Sequence, residues 1–176
     1  VEQSLTVLKN EGEALPLSPA KNIVYVPLGD SDHQTFFETL NYYGAIEKLE
    51  LHTDIDAQTK EKLAQADQII IGFHKSNVNP YKSHKWSKQD LTVLEALEQW
   101  SAKKALVLFS KPYSLDDIPN VSALDQIVLS YQNSEIAQSK TAQLLFGAFA
   151  GSGRLPVDVN AYFKQGMGLE TRALKT

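Results

Sequence analysis

The feature that most constrains this chain is a series of short, nearly unbroken apolar runs separated by amphipathic stretches. "NIVYVPL" (22–28), "DQIIIGF" (67–73), "KALVLFS" (104–110) and "DQIVLSY" (125–131) are of strand length and rich in β-branched residues. Strands that lack polar alternation, such as Ile69 to Ile71 and Leu106 to Phe109, are buried on both faces, as in a mainly parallel sheet covered by helices. The stretches between them carry helical signals. Phe36, Phe37, Leu40 and Tyr43 fall on one face of 33–43, with Gly44 placed to end that helix. Ser87 precedes "KQDLTVLEALEQW" as an N-cap, and Ser134 or Asn133 precedes the helix that runs toward Phe149.

The pattern predicts a three-layer α/β/α sandwich of about six mostly parallel strands and four or five helices, in a single domain over residues 1–176. In this reading the opening "SLTVLKNEGEALPL" is a helical start stopped by Pro16. "IEKLEL" (46–51) is the second strand and "RLPVDV" (154–159) the last.

Composition then narrows the functions. Seventeen basic residues against twenty-one acidic give a net charge of −4, which offers nucleic acid or an anionic membrane no long-range attraction. No apolar run approaches the ~18 residues of a membrane span. The absence of cysteine excludes a thiolate zinc site and a cysteine nucleophile. Val1 stands where a methionine would begin a nascent chain, so an upstream segment is expected.

Ligands of open α/β sheets bind beyond the carboxyl ends of the strands, which directs attention to 29–33, 74–86, 110–117 and 130–135. Gly29 alone does not make a dinucleotide-binding turn, and His74 stands where a phospho-acceptor aspartate would be needed. His74 and His84 lack a third metal ligand, so no metal site is expected. No G-x-S-x-G elbow surrounds Ser152. Asn120-Val121-Ser122 matches the glycosylation pattern, which short segments often do by chance. Asp30, Asp32, Asp116, Asp117 and Glu135 all fall at strand ends, but nothing in their spacing makes a catalytic pair. Lys75, Lys82, Lys85 and Lys88 form a solvated basic loop with Tyr81 and Trp86.

Two separated motifs carry a family resemblance. "SKTAQLLFGAFAGSGRLPV" (139–157) resembles the segment of glycoside hydrolase family 3 enzymes in which a helix ends in a small-residue turn before G-R-L-P-V. "SLTVLKNEGEALPL" resembles the junction that precedes the second domain of those enzymes. Between them, "LFSKPYSL" (108–115) is similar to the P-Y-x-L turn of the bacterial β-N-acetylglucosaminidase branch, and "FKQGMGLET" to that branch's carboxy-terminal side. Ser110 and Lys111 depart from the usual glycine or asparagine before P-Y.

The resemblance implies a second, non-catalytic domain that packs on an upstream (β/α)8-type barrel of the same polypeptide. The barrel would hold the catalytic groups of a retaining glycosidase with a carbohydrate substrate, no cofactor, and a periplasmic or extracellular setting. No residue of this chain is assigned a catalytic role. His74, Lys75, Tyr81, Trp86, Lys111 and Tyr113 are the candidate substrate contacts. Gly151 and Gly153 are expected to end the last helix through positive φ, Pro156 to sit in an edge strand and Arg154 to pair with an acid or helix-end carbonyls. The rival reading is a stand-alone module that binds a sugar or a protein through Tyr81, Trp86 or Tyr113.

Overall fold

The computed structural model describes residues 1–76 and 84–174. Its centre is a six-stranded sheet built from β1 (Thr6–Asn10), β2 (Ile23–Gly29), β3 (Glu47–Lys48), β4 (Gln68–His74), β5 (Lys103–Phe109) and β6 (Gln126–Leu129). The spatial order is β1-β6-β5-β4-β2-β3. All neighbours are parallel except β1, which runs antiparallel to β6. Every residue of β4 is buried, as is β5 from Lys104 onward, which is why neither shows polar alternation.

Among the described residues, four α-helices cover the two faces: α1 (Gln34–Leu40), α2 (Ala57–Gln65), α3 (Lys88–Leu97) and α4 (Glu135–Leu145). Phe36 and Leu40 of α1 join Ala142, Leu144 and Leu145 of α4 over Tyr25, Ile70, Val107 and Val128 on one face. Leu63 of α2 and Val93, Leu94 and Leu97 of α3 close the other, over Val24, Ile69, Leu106 and Ile127. Burial of these side chains is the main favourable term, at about 1.5–3 kcal/mol for each large aliphatic or aromatic residue. Asp56, Ser87 and Ser134 each accept a hydrogen bond from a first-turn amide, so three helices start where a capping residue allows.

The sandwich and its mostly parallel sheet agree with the sequence, but several elements differ. The opening segment is strand β1 and not a helix. Thr6 and Val7 are β-branched and buried, and they fill the edge that β6 leaves open. In "IEKLEL" only Glu47 and Lys48 pair with β2, although Leu49 and Leu51 are still buried. "RLPVDV" forms no strand. Pro156 lacks an amide, the Leu155 amide turns to the Met167 carbonyl at 2.7 Å, and β1 occupies the sixth place in the sheet. Helix α1 stops at Asn41, before Gly44.

The glycine turn 147–153 also differs from expectation. Positive φ occurs at Gly147, not at Gly151 or Gly153. Those two serve close approach. Gly151 exchanges hydrogen bonds with Thr171, and Gly153 donates to the Leu5 carbonyl at 3.1 Å. A Cβ on Gly153 would collide with the Ser4 and Leu5 carbonyls. Arg154 does find an acid, Glu170 at 3.7 Å, and also donates to the carbonyl of Gly153.

Candidate functional site

The parallel strands run β3-β2-β4-β5-β6, so the chain reverses direction across the sheet between β2 and β4. At such a switch point the connections leave in opposite directions and open a crevice at the carboxyl ends of the strands. Gly29 and His74 are register partners there. A cleft of about 480 Å³ lies beside them, lined by Asp30, His33, Glu50, His52, Lys75 and Asp90 among others.

His74 forms the floor of this region, wholly buried between aromatic rings. It stacks on Phe109 at 4.4 Å between ring centroids, and Phe36 lies at 5.8 Å. Nδ1 is 2.7 Å from Asn133 Oδ1, and Nε2 is 2.6 Å from the Tyr25 hydroxyl. The Asn133 amide is oriented by its Nδ2, which donates to the Asp32 carbonyl at 2.8 Å, so Oδ1 must face the ring. Because Oδ1 can only accept, Nδ1 carries the imidazole proton and Nε2 accepts from Tyr25. Burial pulls the imidazole pKa down to about 3, against the opposing pull of the Asn133 hydrogen bond, and the ring is neutral at pH 7. Burial, then the Asp32 charge, pushes the Tyr25 phenol well above its ordinary range, so the phenol keeps its proton.

Gln138 completes the network from α4. Its Nε2 donates to the Asp32 and Asn133 carbonyls, each at 3.0 Å, and to Asn133 Oδ1 at 3.1 Å. Its Oε1 accepts the Phe36 amide at 2.9 Å and so caps α1, whose own N-cap residue, His33, gives no side-chain bond. Glycines make the arrangement possible. A Cβ on Gly72 would stand 2.6 Å from His74 Nε2 and 2.9 Å from the Tyr25 hydroxyl. At Gly29 (φ +91) a Cβ would overlap the His74 backbone.

Chemically, this network is closed: each nitrogen of His74 already has a partner. The group above it is the ion pair of Lys75 with Asp30, 3.3 Å apart, with Lys75 also over the Phe73 ring. Burial and the nearby Lys48 charge lower the pKa of His33, the partly buried imidazole on the cleft wall.

Of the candidate contacts, the structure brings Lys75 to the cleft and puts His74 beneath it. Trp86 turns inward: it stacks on Phe73 at 4.0 Å, and its indole N–H donates to the Ser114 carbonyl at 3.1 Å, leaving no face for a ligand. Lys111 and Tyr113 do not line the cleft; they lie before and on the 3-10 helix Pro112–Asp117, with the Tyr113 ring half exposed near His84. Tyr81 lies outside the described residues. Among the described residues no three His, Asp or Glu side chains converge as a metal site would require. No described helix is long and apolar enough to cross a membrane.

Sequence reasoning missed Tyr25, Asn133 and Gln138. Tyr25 is the one hydroxyl inside "NIVYVPL", and a polar atom in a doubly buried strand must find a partner. That signal could have been read.

Comparison with known proteins gives three findings. Residues 5–172 match the model of the glycosyl hydrolase family 3 C-terminal domain. No curated protein matches the chain. Among solved structures, the chain is similar to a fungal multi-domain GH3 β-N-acetylglucosaminidase with a GCN5-related glucosamine N-acetyltransferase region (TM-score 0.70, 17% identity, 91% of this chain and 18% of that one). It is also similar to the β-glucoside phosphorylase BglX (TM-score 0.70, 21% identity, 89% and 30%). A third is a family 3 β-N-acetylglucosaminidase from Paenibacillus sp. str. FPU-7 (TM-score 0.65, 19% identity, 88% and 30%). The chain thus spans less than a third of the length of each of these three.

Proposed function

The chain belongs to the glycosyl hydrolase family 3 C-terminal domain family, and from that premise we propose that it is the second domain of a retaining β-N-acetylglucosaminidase, serving a catalytic barrel in the same polypeptide. The observation that carries the reading is the extent of the family match, which includes all six strands and Leu169, bridged to Val7 of β1. Two of the structural relatives named above are β-N-acetylglucosaminidases, and "KPYSL" resembles the turn of that branch.

In this reading the domain holds the barrel and does no bond cleavage. Two of its strand-end acids are engaged in its own architecture: Asp30 with Lys75 and Asp32 with the Gln34 amide. A nucleophile and an acid/base must face each other across the sugar, and these acids are tied to separate local partners. The Lys75–Asp30 pair and the partly exposed His33 make the crevice rim the part of the domain suited to polar contacts with sugar hydroxyls.

The test is hydrolysis by the complete polypeptide of an aryl N-acetyl-β-glucosaminide against the matching aryl β-glucoside. Faster cleavage of the N-acetylated substrate, with none by residues 1–176 alone, is the expected result. A preference for the glucoside overturns the substrate assignment, and cleavage by residues 1–176 alone overturns the non-catalytic role.

A further inference from the structure

A second cleft, of about 530 Å³, lies away from the crevice, between the 3-10 turns of 112–123 and the turn 159–163. We propose that it is a binding site for a neutral, gluco-configured oligosaccharide, with Tyr162 as the stacking platform and Asp116 as the hydroxyl acceptor.

The turn that presents Tyr162 is built, not loose. Asn160 Oδ1 accepts the amides of Tyr162 and Phe163 at 2.9 and 3.0 Å, and the Val159 amide closes on the Phe163 carbonyl at 2.9 Å. Phe163 is buried in the core, which anchors the turn, while the neighbouring Tyr162 is 72% exposed. A large aromatic ring is thus held out by a fixed backbone beside the cleft that it lines. Asn160 Nδ2 donates to Asp116 Oδ1 at 2.9 Å and so fixes the carboxylate beside the cleft, leaving its second oxygen to accept. Leu115, Ile118 and Val121 contribute apolar lining.

The charges select the ligand class. An anion would meet the Asp116 carboxylate. A cation would meet the Lys9 ammonium, which lines the same cleft and is held between the Val121 carbonyl at 3.0 Å and Glu11 at 3.6 Å. A neutral ligand with an apolar face and equatorial hydroxyls meets neither objection. An all-equatorial pyranose has such a C–H face for the ring and hydroxyl donors for the carboxylate. The volume falls within the range of about 300–1,000 Å³ usual for small-ligand clefts.

The site is independent of which glycoside the whole enzyme cleaves, because it uses none of the crevice residues. It can be tested by affinity electrophoresis of the complete polypeptide in native gels containing glycol chitin or hydroxyethyl cellulose, at low and high salt. Wild type should be retarded in at least one gel irrespective of salt. Tyr162→Ala and Asp116→Ala should weaken the apparent affinity about tenfold, the loss of a stacked ring or a charge-assisted hydrogen bond. Both variants should hydrolyse a small aryl glycoside at the wild-type rate, which separates this site from the active site. Migration of wild type as in a ligand-free gel, equal retardation of the variants, or retardation abolished by salt would each overturn the proposal.

Discussion

The crevice between β2 and β4 and the cleft at Asp116 and Tyr162 are both polar, yet they differ in what their polar groups have left to offer. At the crevice floor, Tyr25, His74, Asn133 and Gln138 satisfy one another, and the chain from the phenol to the Asp32 carbonyl is closed. In the cleft, the Asn160 carbonyl oxygen holds the turn and its amide nitrogen holds Asp116, while the Tyr162 ring and one oxygen of Asp116 still face outward. A buried, closed network specifies structure, whereas a held but unused group is available to a ligand. The two regions should therefore respond in opposite ways to substitution: stability is lost at the first, binding at the second.

The sharpest way to break this contrast is through the glycines of the crevice. Gly29→Ala puts a side chain at φ +91 and into the His74 backbone. The expected loss is about 3 kcal/mol or more, enough to leave much of the chain unfolded on mild heating. Gly72→Ala should follow closely, since its Cβ would push apart Tyr25 and His74. Thermal unfolding followed by circular dichroism checks both, and a near-native midpoint for either would show that the network tolerates displacement.

Next in size is His74→Ala, which opens a cavity beside Phe109 and removes the acceptor of the Tyr25 hydroxyl. A loss of about 3 kcal/mol is expected, or roughly 10 °C in Tm for a domain of this size. A change below about 1 kcal/mol, measured by urea denaturation, would mean that the network contributes little.

Titration sharpens the same point. The folded pKa of His74, about 3, lies below its ordinary 6.5, so between these values the unfolded chain binds a proton that the folded chain does not. The stabilisation is fully present above about pH 6.5 and falls by about 1.4 kcal/mol per pH unit toward pH 3. Nitrogen-15 NMR of the imidazole should show the Nδ1–H tautomer at pH 7 and no protonation above pH 5. A midpoint near 6.5 would place water at the ring and contradict the closed network.

How much of this was legible in the sequence follows the same physics. The buried parallel strands announced themselves because burial on both faces removes every polar residue from "IIIGF" and "ALVLF". Helix starts at Ser87 and Ser134 were legible because capping is local. Strand β1 was not, since its pairing with β6 joins residues more than a hundred positions apart and only that partner makes "TVLKN" extended. His74 was readable as a strand-end histidine but not as a buried one, because Asn133 reaches it from the loop before α4 and is itself held by Gln138 of that helix. Trp86 looked like a ligand platform for the same reason: its partner, Phe73, lies on another element. The spare groups of Asp116 and Tyr162 depend on a side-chain bond across 44 positions, which no spacing rule encodes.

The smallest expected effect is the one that decides the comparison. Tyr162→Ala removes an exposed ring whose backbone is held by Asn160 and anchored by Phe163, so the fold should scarcely notice, with Tm changing by less than about 2 °C. Asp116→Ala frees one amide hydrogen of Asn160 to water and should cost little more. Differential scanning calorimetry of both variants, beside His74→Ala, measures the two regions on one scale. A drop of more than about 5 °C for Tyr162→Ala would make the ring a structural member after all. A small drop is what an exposed ring outside the core gives, and it would leave the affinity gels as the measurement that decides whether Tyr162 contacts a ligand.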